Sequence, residues 1–429
     1  MPHRLGEICK LMGGYAYSSR DFCREGVPVI KIGDVTGGGR IDYSGMDCVS
    51  VQNAIQTRRF SPEPGDTLIA MTGANVGKTI RVGAGDPDAR INQRVGRFVP
   101  VIGSEYSKEY IYFLVRNPLA FGYFSNAAYG SAQPNISGDL IENLPIPDIE
   151  PAEANRLAAV LGSLDNKIDL NHRMNETLET MARAIFKDWF VDFGPTRAKM
   201  EGRAPYLSPD VWPLFSDRLD DDDKPEGWKL ETLSSVAHLV RTTVNPSLHP
   251  SEIFDHYSIP AYDSGKYPIR EVGAGILSNK TVIPDGAVLL SKLNPEIPRI
   301  WLVDTEPSTR SIGSTEFLVL LPNLDWMRPF LYCSLTDQGF GTRLQAMVTG
   351  TSKSHQRVSP DSVMAIPIVI ATQSVFRSFS NVISSLVKKM TENRRESRTL
   401  AQTRDLLLPK LMSGEIRIKD AEKVVETVL

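Results

Sequence analysis

Between residues 157 and 189 the apolar and small positions fall at Leu157, Leu161, Leu164, Ile168, Asn171, Asn175, Leu178, Ala182, Ile185 and Trp189. The steps alternate four and three, which is the seam of a helix built to pair with another helix. No proline and a single glycine, Gly162, fall inside the run. The pattern returns at Phe379, Ile383, Leu386, Met390, Asn393, Ser397, Leu400, Arg404, Leu407 and Leu411. Leu164 and Leu386, Asn171 and Asn393, and Leu178 and Leu400 are each 222 positions apart. One chain therefore carries two long helices whose seams turn polar at the same level. A buried Asn costs stability but fixes the register of the partner helix, so Asn171 and Asn393 are the expected register-setting residues. The rival reading, two unrelated surface helices of a large enzyme, leaves the wider repeat unexplained.

That repeat extends over the rest of the chain. Residues 65–70 pair with 286–291, 95–100 with 317–322, and 144–146 with 366–368. The loop led by Gly130 pairs with the loop led by Gly350, which has two extra residues. The expected organisation is a mixed α/β module over 1–150, a helix over 151–194, a linker over 195–227, a second module over 228–369, and a second helix with its tail over 370–429. Short β-rich runs at 27–32, 67–71, 79–82 and 97–102 are punctuated by glycine and proline. A helix is expected over 107–116, capped by Ser107 and stopped by Asn117-Pro118. The linker is rich in proline and charge, and its Asp220-Asp221-Asp222-Asp223 run reads as solvated surface. Identity between the modules is confined to apolar strands and turns, while the loops differ. A constant scaffold with divergent loops fits two modules doing one kind of job on two targets.

A chain of 429 residues exceeds one ordinary core, so two or more domains are expected. The net charge of −3 does not advertise nucleic-acid binding, but a local basic face can be offset by acidic linkers. Cys9, Cys23, Cys48 and Cys333 are scattered, with no Cys-x-x-Cys pair, and read as reduced thiols rather than disulfides or a zinc site. No apolar run approaches bilayer length and no signal pattern opens the chain, so a cytoplasmic protein is expected.

Catalytic motifs are scarce. Thr72-Gly73-Ala74-Asn75-Val76-Gly77-Lys78-Thr79 looks like a phosphate-binding loop, which would make the chain a nucleotide-hydrolysing enzyme. That motif needs its first glycine five positions before the second; here Gly73 is four before Gly77. The β-branched Ile80-Arg81-Val82 that follows does not promise a helix N-terminus for a phosphate. No Rossmann turn, no amino-methylating tetrapeptide and no metal-ligand spacing is present, so the residues favour a binding protein over an enzyme. The loops offer Lys78, Gln93, Arg94, Tyr129, Gln133 and Asn135 in the first module. They offer Lys292, Asn294, Lys353, His355, Gln356 and Arg357 in the second. Arg and Lys suit guanine edges, Asn and Gln suit adenine edges, and both sets reach phosphates, so these are the candidate DNA-binding residues. Each taken singly also reads as plain surface, and Asn135 as a turn residue after Pro134.

Ala184-Ile185-Phe186-Lys187-Asp188-Trp189-Phe190-Val191-Asp192-Phe193-Gly194-Pro195 and Pro225-Glu226-Gly227-Trp228 resemble the central conserved region of the DNA-specificity subunit of type I restriction-modification systems. Leu407-Leu408-Pro409-Lys410-Leu411-Met412-Ser413-Gly414-Glu415-Ile416 resembles that family's distal conserved region. The resemblance implies a mixed α/β fold. Two similar α+β target-recognition domains are separated by two long antiparallel coiled-coil helices, with an internal pseudo-two-fold repeat. It implies a non-catalytic subunit whose two domains each read half of a bipartite, asymmetric DNA site. Its partners are then double-stranded DNA, two adenine-methylating subunits and two ATP-driven translocase-nuclease subunits, with S-adenosylmethionine, ATP and Mg2+ in the partners and no cofactor or metal in this chain. A specificity subunit of a methylase-nuclease system outside type I is the near alternative. Helices of about 36 residues would be roughly 54 Å long, enough to span successive faces of a duplex. Phe186, Trp189 and Phe190 at the helix end are apolar enough to dock a partner protein, or equally to pack against the chain's own domains.

Overall fold

The computed structural model describes residues 3–38, 40–128, 134–348 and 356–429. The chain divides into two compact units, Met1–Arg173 with Arg394–Leu429, and Met174–Asn393. The division crosses both long helices, Pro151–Phe190 and Gln373–Met412, each of 40 residues. The first opens on Pro151, where the missing N–H costs no helical hydrogen bond, with Glu153 in its first turn. Three residues past its end, Phe193 takes a left-handed conformation (φ 54°) and Gly194-Pro195 starts a new short helix, Gly194–Met200. No helix among the described residues is long and apolar enough to cross a membrane.

The first unit is built on a four-stranded antiparallel sheet in the order Cys9–Gly13, Val95–Pro100, Thr67–Ala70, Thr79–Arg81. All four residues of Thr67–Ala70 are buried, which explains why that strand reads as a continuous rather than alternating run. A second sheet, Phe22–Cys23, Cys48–Val49, Val27–Ile30, Arg90–Ile91, includes a parallel pair. Helix Lys108–Arg116 forms as expected, with Ser107 Oγ accepting from the amide of Tyr110 at 3.1 Å. Tyr110 to Val115 are all buried, so this helix lies inside the unit. Gly162 of the long helix faces it. A Cβ there would lie 2.2 Å from Oε1 of Glu109, a carboxylate held by Arg81 at 3.0 Å. Leu157, Leu161 and Leu164 share one core with Leu400, Leu407 and Leu411. Asp165 meets Arg404 and Asn171 meets Ser397, so the two long helices run antiparallel here. The last helix, Ile418–Val428, adds Ala421 and Val425 to that core and ties Glu422 to Arg156 at 2.9 and 2.8 Å.

The second unit repeats the main sheet in the same order: Ala237–Leu239, Phe317–Pro322, Val288–Ser291, Ile300–Leu302. Even the register is kept. Leu68 faces Arg97 in the first unit, and their repeat mates Leu289 and Val319 face each other in the second. The accessory sheet differs: five strands in the order Thr243–Val244, Lys280–Val282, Arg310–Gly313, Ile253–Tyr257, Ile269–Val272. Here too the long helices are antiparallel, Asn175 meeting Asn393 and Phe190 stacking on Phe376 at 5.7 Å. The expected linker over 195–227 is more than a spacer: Pro195, Thr196, Ala198 and Phe215 are buried, and Phe215 joins Trp189 and Trp228 in the core. Asp220 and Asp222 are drawn to Lys224 at 2.6 and 2.8 Å, a local knot of surface charge.

Candidate nucleic-acid interface

At the end of the central strand Thr67–Ala70, three loops are tied together by their backbones. Met71 N donates to Arg94 O (3.0 Å), Ile136 N to Met71 O (2.9 Å), and Gly73 N to Pro134 O (3.1 Å). The second unit makes the same knot after Val288–Ser291. Lys292 N donates to Glu316 O (3.0 Å), Val358 N to Lys292 O (3.1 Å), and Asn294 N to Gln356 O (2.9 Å). The turn at its centre needs a positive φ. Gly73 supplies it at 78° and Asn294, from the residue type that tolerates it best after glycine, at 49°.

The side chains carried by this common backbone differ at every equivalent place. Arg94 corresponds to Glu316, Asn135 to Arg357, Pro134 to Gln356, and Met71 to Lys292. In the first unit Gln93, Arg94 and Asn135 are at least partly exposed. In the second, Arg357 donates from Nε and Nη2 to both oxygens of Glu316, at 3.1 and 3.0 Å. That hydrogen-bonded guanidinium outweighs partial burial and holds the Glu316 carboxyl below its ordinary range. One knot thus displays an exposed cation and an amide; the other displays a cation oriented by a carboxylate.

Among the sequence-predicted residues, Lys78 is half-buried and donates to Asn75 Oδ1 at 2.9 Å, while Asn75 Nδ2 reaches Ile32 O at 3.1 Å. Its first task is to pin the loop. Lys292 and Gln356 are half-buried beside the second knot. Asn294 turns inward: its Oδ1 is buried and meets no hydrogen-bond partner among the described residues, so its contribution to the loop is conformational. Tyr129, Gln133, Lys353 and His355 lie outside the described residues. The phosphate-loop look-alike is a single 3-10 turn, Gly73–Asn75, followed after Lys78 by strand Thr79–Arg81, so no helix N-terminus faces a would-be phosphate.

The docking expectation for Phe186, Trp189 and Phe190 is corrected. They are only 6%, 3% and 3% exposed and sit in an aromatic cluster with Phe215, Trp228, Phe330, Phe376 and Phe379. Burying three large rings outweighs leaving them for a partner, because each removes a large apolar area from water. Phe186 and Phe190 edge an apolar cavity with Phe340 and Ile368, but Val191 and Leu230, 43% and 63% exposed, stand at its surface.

Asn171 and Asn393 are buried in the seam. Asn171 Nδ2 donates to Glu396 Oε2 (2.7 Å) and Ser397 Oγ (3.3 Å); Asn393 Nδ2 donates to Asn175 Oδ1 (3.0 Å). Asp165 went unremarked in the sequence, and Arg404 entered only as a seam position, without its partner. They form an ion pair at 2.5 Å with side chains 9% and 7% exposed. The signal was Arg404 itself, a full charge at a seam position.

Two modules with one scaffold and divergent loops, each carrying part of an antiparallel helix pair, define a duplicated recognition protein. The fold is that of a solved type I restriction-modification S subunit from M. genitalium (TM-score 0.51, 15% identity, covering 96% of each chain). Residues 1–180 match the family described as type I restriction modification DNA specificity domain. The MjaIX type I restriction enzyme specificity subunit of Methanocaldococcus jannaschii is 24% identical over 339 residues, covering 77% of this chain and 73% of its own. The HindI specificity subunit of Haemophilus influenzae is 25% identical over 364 residues, covering 72% and 77%. Over most of its length the chain is similar to type I restriction-modification specificity subunits, and its residues 1–180 match that family's DNA specificity domain.

Proposed function

We propose that this chain is the DNA-reading subunit of a type I restriction-modification complex, working in the cytoplasm. Each unit reads one half of a two-part site through the side chains on its loop knot. The observation that carries this reading is the pair of knots: identical backbone hydrogen bonds, with a different side chain at each equivalent position. A catalytic site would need fixed chemistry there, whereas a reader of two different half-sites needs fixed geometry and variable edges. Arg94, Gln93 and Asn135 are the first unit's readers; Arg357, with Gln356 and Lys292 beside it, serves the second. Tyr129, Gln133, Lys353 and His355 belong to the same loops by sequence.

The chain itself carries no chemistry in this reading. Methylation subunits bring S-adenosylmethionine and translocase-nuclease subunits bring ATP and Mg2+. The 40-residue helices, about 60 Å long at 1.5 Å per residue, set the gap between the half-sites. The test is to sequence methylated adenines in cells expressing this chain with its methylation partner. Two short words separated by a fixed gap are expected; one unbroken word would defeat the reading. Duplex binding by the purified complex should also weaken steeply with salt, as phosphate contacts do.

A further inference from the structure

The contacts of the two units obey an exchange rule. Asn171 meets Ser397 in the first unit, and Asn175 meets Asn393 in the second. Asn393 is the repeat mate of Asn171, and Ser397 that of Asn175, each 222 positions on. This is the pattern of a two-fold interface, where residue i of one copy meets j of the other and j meets i. Such a seam is in principle open to the wrong partner. The first long helix could pair with the first helix of a second copy of this chain, and the second helix with its own counterpart.

One layer breaks the equivalence. In the first unit Asp165 and Arg404 form an ion pair between the helices, with Tyr112 and Asp405 against the guanidinium. Arg404 Nε also donates to Asp405 Oδ1 at 2.8 Å. The repeat mates are Val387 for Asp165 and Ala182 for Arg404. Both are buried in the apolar core of the second unit. The same layer is charged in one unit and purely apolar in the other.

The consequence for wrong pairs follows from the exchange rule. If two first helices paired, each Asp165 would face Ala182. If two second helices paired, each Arg404 would face Val387. The first arrangement buries two Asp165 carboxylates without a partner, and the second leaves each Arg404 only its neighbour Asp405; losing one member of a buried pair costs far more than an intact pair returns. Only the first helix against the second places Asp165 on Arg404. We propose that the Asp165–Arg404 pair is the address by which the first long helix selects the second.

The test uses full-length chains under two affinity tags. Asp165→Arg alone and Arg404→Asp alone each put like charges into the buried layer. Co-expressed, the two variants satisfy both layers by exchanging helices. The arginine introduced at position 165 of one chain then faces the aspartate introduced at position 404 of the other, and the native Asp165 and Arg404 that remain face each other in the second layer. A 1:1 heterodimer is expected in tandem purification and light scattering, enriched on the order of tenfold or more over two differently tagged wild-type chains. The double variant Asp165→Arg/Arg404→Asp restores the pair within one chain and is expected to remain unexchanged. The proposal is overturned if the single variants stay stable and unexchanged, or if their mixture yields no more heterodimer than wild type, including a mixture that stays unpaired and insoluble.

Discussion

Asn393 donates from Nδ2 to Oδ1 of Asn175 at 3.0 Å, both amides buried in the seam between the long helices. Asn175 Nδ2 in turn reaches Met390 O at 3.3 Å, so each amide is at least partly satisfied. Asn393→Ala removes the donor and leaves Asn175 Oδ1 buried and unpaired. We expect a loss of about 1–3 kcal/mol in denaturant unfolding. Replacing both by Leu should instead raise the midpoint while weakening register, seen as faster amide exchange along the helices.

Arg94 and Glu316 occupy one backbone position in the two knots, so their effects should separate by half-site. Arg94→Ala should relax recognition of one half only, by about 1–3 kcal/mol if the arginine reads a base edge. Glu316→Gln should blur the other half only, because Arg357 loses its orienting carboxylate. Methylated-site sequencing of the two variants separates the effects; a uniform loss over both halves would mark Arg94 as a phosphate contact.

Trp189 lies edge-on to Phe215 at 5.0 Å and to Phe379 at 5.7 Å, inside the second unit's core. Trp189→Ala should cost about 3–5 kcal/mol and expose that unit to limited proteolysis. A surface docking role would instead leave stability unchanged and impair only assembly with partner subunits.

Burial pushes the Cys9 and Cys333 thiols up to about 12 from an ordinary 9.0. Native protein near pH 8 should therefore react with a thiol reagent first at Cys23, more slowly at Cys48, whose thiol desolvation also raises, and at the other two only after unfolding. The linked effect on stability has a definite sign. The folded state keeps protons that the unfolded state releases above 9, so this contribution is intact below pH 9 and is lost as pH rises toward 12.

Seven residues inserted into each long helix near the Asn layer preserve the seam's phase and lengthen each helix by about 10 Å. The methylated half-sites should keep their sequences while the gap between them grows. An unchanged gap would remove the helices from the measurement of spacing.

Much of this was legible in the residues. The four-three spacing of 157–189 and its return 222 positions later specified both helices, because helical periodicity is a property of near neighbours along the chain. Ser107 marked its helix, and the β-rich run at 67–71 marked a strand, for the same local reason. Whether Phe186, Trp189 and Phe190 meet solvent, a partner or their own core depends on Phe330, Phe376 and Phe379, which lie more than a hundred positions away. The same holds for Arg404, a surface charge in isolation and a buried one only when Asp165 arrives from the other helix. The sequence by itself determined the elements and their duplication; tertiary structure alone decided which side chains are covered and which charges are paired, because burial and pairing are set by whatever long-range neighbour the fold brings within contact distance.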